Sequence, residues 1–193
     1  MPERLFSGSW YASWNHSIQN AVAEVERLDR RVFSDPALGG VLQGIVDKYS
    51  VDVARLNTDP KAIVAELVEE QRVVNDVWGD RRLVTIKRLK VSIPFIGEAE
   101  CLRVAPSRSA VPSHRADIGT SAVSITIPDD DNADREVKTF CEQVQANLDT
   151  LRQEYECDKP QLEQAVSQAA ERRKAQIAAE NERDGKRSFT VRR

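Results

Sequence analysis

The sequence predicts an α+β protein, in which N-terminal helices and a small, mostly antiparallel β-sheet precede a long C-terminal antiparallel helical hairpin. Before residue 50 and again after residue 132, apolar residues recur every three or four positions, which is the period of a helix. Between these regions lie runs of β-branched residues that alternate with polar ones, which is typical of strands. We therefore expect an α+β domain over residues 1–130 and a helical hairpin with a basic tail over residues 131–193.

Two helices are predicted in the first fifty residues. Ser17 can cap the first, whose apolar stripe reaches Val32 before the Ser-Asp-Pro sequence at 34–36 breaks it. Pro36 suits the first turn of the second helix, which carries apolar residues as far as Val46. The chain is expected to leave this helix in an extended conformation over residues 49–53.

The predicted sheet lies between residues 61 and 128. Residues 82–93 are rich in β-branched side chains and favour one long strand or a bent pair, whose end Pro94 places at an edge or a bulge. Residues 62–68 fit either a helix or a strand. A short strand is predicted at 101–104, a loop at 105–120, and a further strand at 122–127 that ends at Pro128.

A helical hairpin is predicted after residue 132. Its first helix, 133–156, carries a continuous apolar stripe, and Pro160 suits the start of a second helix that reaches residue 183. Helices joined by so short a link must be antiparallel neighbours. Because the apolar face of the second helix thins to alanine, we expect its far half to bind a partner through Ala169, Arg173 and Ile177.

Composition excludes several classes of protein. A chain of 193 residues with 40% hydrophobic and 31% charged residues is globular rather than disordered. The net charge of −3 combines 28 basic with 31 acidic residues, so no overall field attracts nucleic acid or anionic membranes. The first residues do not form a signal peptide, and no apolar run approaches the roughly 20 residues that span a bilayer. A cytoplasmic protein without a membrane partner is expected.

No linear catalytic or metal-binding motif is present. The sequence lacks a Gly-rich phosphate loop, HExxH, GxSxG and CxxC, and its three cysteines and two histidines are widely spaced. The sequence Glu-Glu-Gln-Arg at 69–72 lacks the lysine of a restriction-type nuclease motif, and the aspartates at 129–131 suit a helix start better than a cation site. We therefore expect no metal, no cofactor and no enzymatic activity. Besides the two hypotheses given below, a third is an enzyme whose site is assembled from scattered residues.

A basic cluster on the predicted long strand has two interpretations. On one face of a sheet it can meet the phosphates of a nucleic acid, and on the wet face of a half-exposed sheet it can simply be solvated. A second group of basic residues lies in the C-terminal tail. The candidate nucleic-acid-binding residues are Arg81, Arg82, Lys87, Arg88 and Lys90.

One segment resembles a known family. Residues 93–100, IPFIGEAE, followed by the sequence Ala-Pro-Ser at 105–107, are similar to a pattern, (I/V)PFxGDPELF…RPS, of uncharacterised bacterial proteins. Residues 45–49, IVDKY, are similar to the LVEKY of that family, and a basic stretch follows the helices, here at 186–193. In those proteins the segment belongs to an N-terminal module that often precedes a PD-(D/E)xK nuclease-like domain, an arrangement typical of restriction or antiphage proteins.

The resemblance covers residues 38–193 and carries over no site residue. Glu98 and Ala99 stand where the pattern has Asp-Pro, Cys101 stands where it ends in an aromatic residue, and the nuclease-like domain is not in this sequence. What the resemblance implies is a non-enzymatic sensing or assembly module of a bacterial defence-type system. Such a module would oligomerise or bind a larger partner, including a nuclease-type effector. The alternative hypothesis is a nucleic-acid-binding protein that uses residues 81–90 and the C-terminal tail.

Overall fold

The computed structural model describes residues 2–75, 81–108 and 114–186. Over these residues the predicted α+β class is confirmed. Two short 3-10 helices, Arg30–Ser34 and Ala99–Leu102, accompany the main elements. In chain order the strands and α-helices are β1 (Glu3–Arg4), β2 (Gly8–Ser9), α1 (Trp10–Arg27), α2 (Leu38–Tyr49), β3 (Arg55–Leu56), β4 (Val64–Asn75), β5 (Arg81–Ile96), β6 (Val104–Ala105), β7 (Arg115–Ile118), β8 (Ala122–Pro128) and α3 (Ala133–Gly185).

The main sheet is antiparallel and is built around the long strand β5. The strand order is β1-β7-β8-β5-β3. β4 also pairs with β5, on the same edge as β3 but nearer the start of β5. Both flanking strands pair with β5 in the antiparallel sense, β8 over Arg88–Pro94 and β4 over Arg81–Ser92. A second, two-stranded sheet pairs β2 with β6 in parallel. The mostly antiparallel sheet of the sequence analysis is therefore observed.

The chain forms two compact units. Unit 1 consists of residues 1–10 and 52–153, and unit 2 consists of residues 11–51 and 154–193. Unit 1 holds the main sheet and the first part of α3, while unit 2 holds most of α1, all of α2 and the remainder of α3. Each unit takes residues from both sides of position 130, where the sequence analysis placed its boundary.

In unit 1, polar side chains of α3 form hydrogen bonds with the backbone of the segment at 52–56. The guanidinium of Arg152 donates to the carbonyl oxygens of Val53 and Ala54, at 3.3 and 3.1 Å. The Gln145 side chain accepts the backbone N–H of Leu56 at 3.0 Å. These bonds satisfy backbone groups that the two-residue strand β3 leaves without a ladder partner. On the sheet, alternate residues of β5 and β8 are buried, among them Ile93 and Val123.

The predicted C-terminal hairpin is wrong, because α3 is one helix of 53 residues that contains Pro160. Proline inside a helix removes one hydrogen bond and costs about 3 kcal/mol relative to alanine. The buried apolar positions keep the same phase on both sides of it, in steps of three, four, seven or eight residues. That continuous stripe stabilises the helix through the proline: Phe140, Val144, Leu148, Leu151, Tyr155, Leu162, Val166, Ala169 and Ile177.

Three other local predictions also differ from the structure. The first helix begins at Trp10 rather than near Ser17, because Trp10 and Trp14 extend its buried face by about two turns. The strand predicted at 101–104 is mainly a 3-10 helix, with only Val104 in β6. The loop predicted at 105–120 contains β7, which pairs with the distant N-terminal strand β1 as well as with β8. Such a nonlocal partner leaves no local signal in the sequence.

In the described part of the chain, no helix is both long enough and apolar enough to cross a lipid bilayer.

Candidate functional site

The far end of the β4–β5 hairpin is a two-stranded ribbon, which we call the β-arm and define as residues 69–75 and 81–87. β8 pairs with β5 only from Arg88 onwards. Among the described residues, the arm segment of β5 therefore has β4 as its only neighbour, and β4 has β5 as its only neighbour along its full length. Isolated two-stranded ribbons are marginally stable in water, and a third strand or a packed face is needed for independent stability.

Both faces of the β-arm carry exposed aliphatic side chains. Val73 faces Leu83 across the ribbon, and these side chains are 59% and 64% exposed. On the opposite face Val74 and Val84 are each 43% exposed. Contiguous exposed apolar surface marks sites of association more often than single exposed residues do. The β-arm therefore has the composition of an interaction surface.

The predicted basic cluster lies on β5, and acidic residues of β4 are interleaved with it. Lys87 lies opposite Glu69, and Lys90 lies opposite Glu66. Cross-strand pairs of opposite charge stabilise a sheet, so this pattern serves the hairpin itself.

Arg88 takes part in the same pattern. Its guanidinium is 3.2 Å from the Glu70 carboxylate and donates to the Thr126 carbonyl oxygen at 3.1 Å, which ties β5 to both flanking strands. Arg81 and Arg82 lie at the start of β5, opposite Asn75 and Val74. The structure thus brings the five predicted basic residues onto one strand, but within a surface of mixed charge.

The other predicted site, the partner-binding face of the C-terminal helix, is largely occupied within unit 2. Ala169 and Ile177 are buried. Arg30 donates a hydrogen bond to the Ile177 carbonyl oxygen at 3.4 Å and another to the Asn181 side chain. Because unit 2 already covers this face, little of it is left for a second protein.

The third residue of that predicted site, Arg173, is half-buried in unit 2. Its Nε atom is buried and has no hydrogen-bond partner within the described residues. Arg173 lines a small cavity with Glu26, Ala169, Arg172 and Gln176. Its side chain therefore lies within unit 2 rather than projecting from it as a free basic group.

The two thiols of unit 1 are buried. Burial raises the pKa of the Cys101 thiol and also that of the Cys141 thiol, so both favour the protonated form, which is the weaker nucleophile. The His114 ring contacts the Phe140 ring edge-on, with centroids 5.2 Å apart, and hydrogen-bonds the Gln143 side chain. These contacts give the histidine a packing role.

A groove of about 940 Å³ in unit 1 is the largest concave feature that we describe there. Its apolar lining includes Leu89 and Ile127 from the sheet and Val137 from α3, and its charged side chains come from α3 alone. It contains no histidine, and Cys141 is its one thiol. The groove therefore has a mainly apolar lining, with charged side chains on its α3 side.

Metal ligands do not cluster in the described residues, where no group of three His, Cys, Asp or Glu side chains is placed to hold an ion. The aspartates that precede α3 take part in its N-terminal turn. The carboxylate of Asp130 accepts the backbone N–H of Asn132 at 2.8 Å, and its carbonyl oxygen accepts the N–H of Ala133 at 3.1 Å. Carboxylates at this position also favour the positive end of the helix dipole.

Comparison of the chain with protein-family models, curated proteins and solved structures gives no match.

The charged residues of the β-arm were predicted from the sequence as a candidate site, whereas its aliphatic residues were not. A signal was present: β4 and β5 are 12 and 16 residues long, whereas most strands have 3–10 residues. β8, the neighbour of β5 in the main sheet, has only seven residues. A long β-branched run beside short partners therefore predicts a ribbon that extends past its sheet.

Proposed function

We propose that this protein is a non-enzymatic assembly module that self-associates through the β-arm. The single observation that carries the proposal is the ribbon of β4 and β5, with Val73 and Leu83 exposed on one face and Val74 and Val84 on the other. Fully burying one such side chain contributes about 1.5–3 kcal/mol. Association along the arm therefore removes part of this exposed aliphatic surface from water.

The setting that we propose for this module rests on sequence alone. The pattern at residues 93–100 resembles modules that precede nuclease-like domains in restriction or antiphage proteins. We accordingly propose that the assembled protein serves a bacterial defence-type system and that its larger partner is a nuclease-type effector. An arm-mediated assembly would bring several copies of such an effector together.

A nucleic-acid-binding function is the alternative, and one observation favours it. A two-stranded ribbon fits the major groove of B-DNA, and Arg81 and Arg82 lie at the far end of this one. Against it, acidic residues lie beside or opposite Lys87, Arg88 and Lys90. The negative charges of these acidic residues would repel the phosphates. DNA binding would appear as retention of the chain by duplex DNA at low salt that falls steeply as salt is raised.

The test is the mass of the full chain in solution, measured by light scattering over a range of concentrations. We expect the wild-type protein to form a dimer or a larger assembly. Val74→Lys should shift the protein towards the monomer by at least about tenfold in dissociation constant, because it places a charge in the associating surface of the arm. The matched control is Ile96→Lys, at the other end of β5, where the side chain is 76% exposed.

The control should associate as the wild-type protein does. A wild-type chain that is monomeric at every concentration would contradict the proposal. So would a Val74→Lys variant that associates as strongly as Ile96→Lys, since the arm would then not be the associating surface.

A further inference from the structure

We infer that two copies of this chain pair edge to edge through β4, antiparallel, with Gln71 on the two-fold axis. The inference rests on the proposed self-association and specifies which edge and which register produce it. β4 offers the longest unpaired strand edge among the described residues, Val64–Asn75, because it pairs with β5 alone. Joining two such edges converts two ribbons into one four-stranded sheet, in the order β5-β4-β4-β5, which meets the strand number that stable sheets need.

Symmetry leaves few possible registers. Most homodimers have a two-fold axis, so each residue that contacts a second residue is contacted by it in return. In an antiparallel pair, facing residues lie on the same face of the sheet, and successive residues alternate between faces. A two-fold axis perpendicular to the sheet keeps each residue on its own face. One residue must therefore face its own copy, and the registers differ only in which residue that is.

Charge selects the register centred on Gln71. In this register Glu70 faces the partner's Arg72, and Arg72 faces the partner's Glu70, so two ion pairs form symmetrically. A shift of the centre by one residue brings like charges together. With the centre on Glu70 two glutamates face each other, and with the centre on Arg72 two arginines do.

Charge also disfavours two centres nearer the start of β4, on Glu69 and Val68. With Glu69 on the axis that residue faces its own copy, and with Val68 on the axis Glu66 faces the partner's Glu70. Charged residues on an exposed edge usually prevent a second strand from adding. Here the order Glu-Gln-Arg at 70–72 makes the edge complementary to itself in one register and repulsive in its neighbours.

The same register places apolar residues together. Nine residues of each strand overlap, 67–75, and Val68 faces the partner's Val74 on the face that carries the ion pairs. Glu70 already lies 3.2 Å from Arg88 and 4.0 Å from Arg72 within its own chain. Its carboxylate, which is 44% exposed, can accept from a further arginine without losing these partners.

A disulfide cross-link tests the register. We start from full-length Cys157→Ser, because Cys157 is the one exposed thiol among the described residues while Cys101 and Cys141 are buried. In that background Gln71→Cys should form a disulfide-linked homodimer under mild oxidation. Facing residues of an antiparallel pair have Cα atoms about 4.5–5.5 Å apart, which suits a disulfide. The matched control is Leu67→Cys, another exposed position on β4.

The control should not cross-link to itself, because in this register the two copies of residue 67 lie eight positions apart, or about 26 Å. Arg72→Glu should weaken association by about tenfold, since both ion pairs become repulsive, while Arg72→Lys should keep most of it. An assembling protein in which Leu67→Cys cross-links and Gln71→Cys does not would overturn this register and leave the self-association standing. A protein that does not assemble at all would overturn both.

Discussion

Replacing Gly97 with alanine is expected to lower the free energy of unfolding by about 2–6 kcal/mol. Gly97 has φ +101°, a backbone conformation that residues with a side chain rarely adopt. An alanine Cβ would lie 2.8 Å from the Asp52 carbonyl oxygen and 2.9 Å from the Ala54 Cα. Both are backbone atoms, so the segment at 52–54 would have to move. The change should appear as a lower midpoint in urea denaturation.

Two control variants isolate the cause of this effect. Ile96→Ala removes an exposed side chain from the neighbouring position and should change stability by less than about 0.5 kcal/mol. Gly44→Ala lies in α2, where an added Cβ meets nothing within 4 Å, and should stabilise the protein by about 0.5–1 kcal/mol. Equal stability of Gly97→Ala and the wild-type protein would show that the close approach at residues 52–54 is not as described.

The residues on either side of Gly97 also hold the segment at 52–56 in place. The Glu98 carboxylate accepts the backbone N–H of Asp52 at 3.0 Å, and the Glu98 N–H donates to the Asp52 carbonyl oxygen at 2.8 Å. Phe95 is buried and pairs with Leu56 in the sheet. These residues hold the segment at 52–56 against the end of β5. In this chain Phe95, Gly97 and Glu98 therefore have a structural role.

Leu148→Ala should cost about 2–5 kcal/mol of stability. Leu148 lies on α3 and is 0% exposed, so truncation removes three buried carbon atoms and leaves a cavity. Chemical denaturation of the full-length variant measures the loss. Gln153→Ala, at an exposed position of the same helix, is the matched control and should stay within about 0.5 kcal/mol of the wild-type protein. If both variants unfold at the same denaturant concentration, the buried face of α3 is assigned wrongly.

The helical regions were predicted well from the sequence, but the position of Pro160 at the start of a helix was predicted wrongly. Pro160 suits a helix start, and a short break before it predicts a hairpin. The decisive signal was the phase of the apolar residues: Tyr155 and Leu162 are seven positions apart, and this step continues the stripe of one helix without interruption. A hairpin would have required the stripe to restart. Phase across a proline is therefore more informative than the proline itself.

The β-arm could be predicted only in part. The β-branched run from residue 82 indicated a long strand, and its basic residues were visible in the sequence. Its pairing was not visible, because the acidic residues that neutralise Lys87, Arg88 and Lys90 belong to β4, whose first residues fitted a helix or a strand. Once the strands are paired, Leu83 faces Val73, and the mixed charge and exposed aliphatic surface appear together.

Hydrogen exchange on the full-length protein, compared between low and high concentration, tests the association of the β-arm most directly. If copies pair through the arm, backbone amides of residues 64–75 and 81–87 should become more protected as concentration rises. Val74→Lys should abolish this dependence, whereas Ile96→Lys should preserve it. Self-association through this ribbon would be contradicted if the protein scatters light as a monomer and the exchange rates in the arm are the same at every concentration.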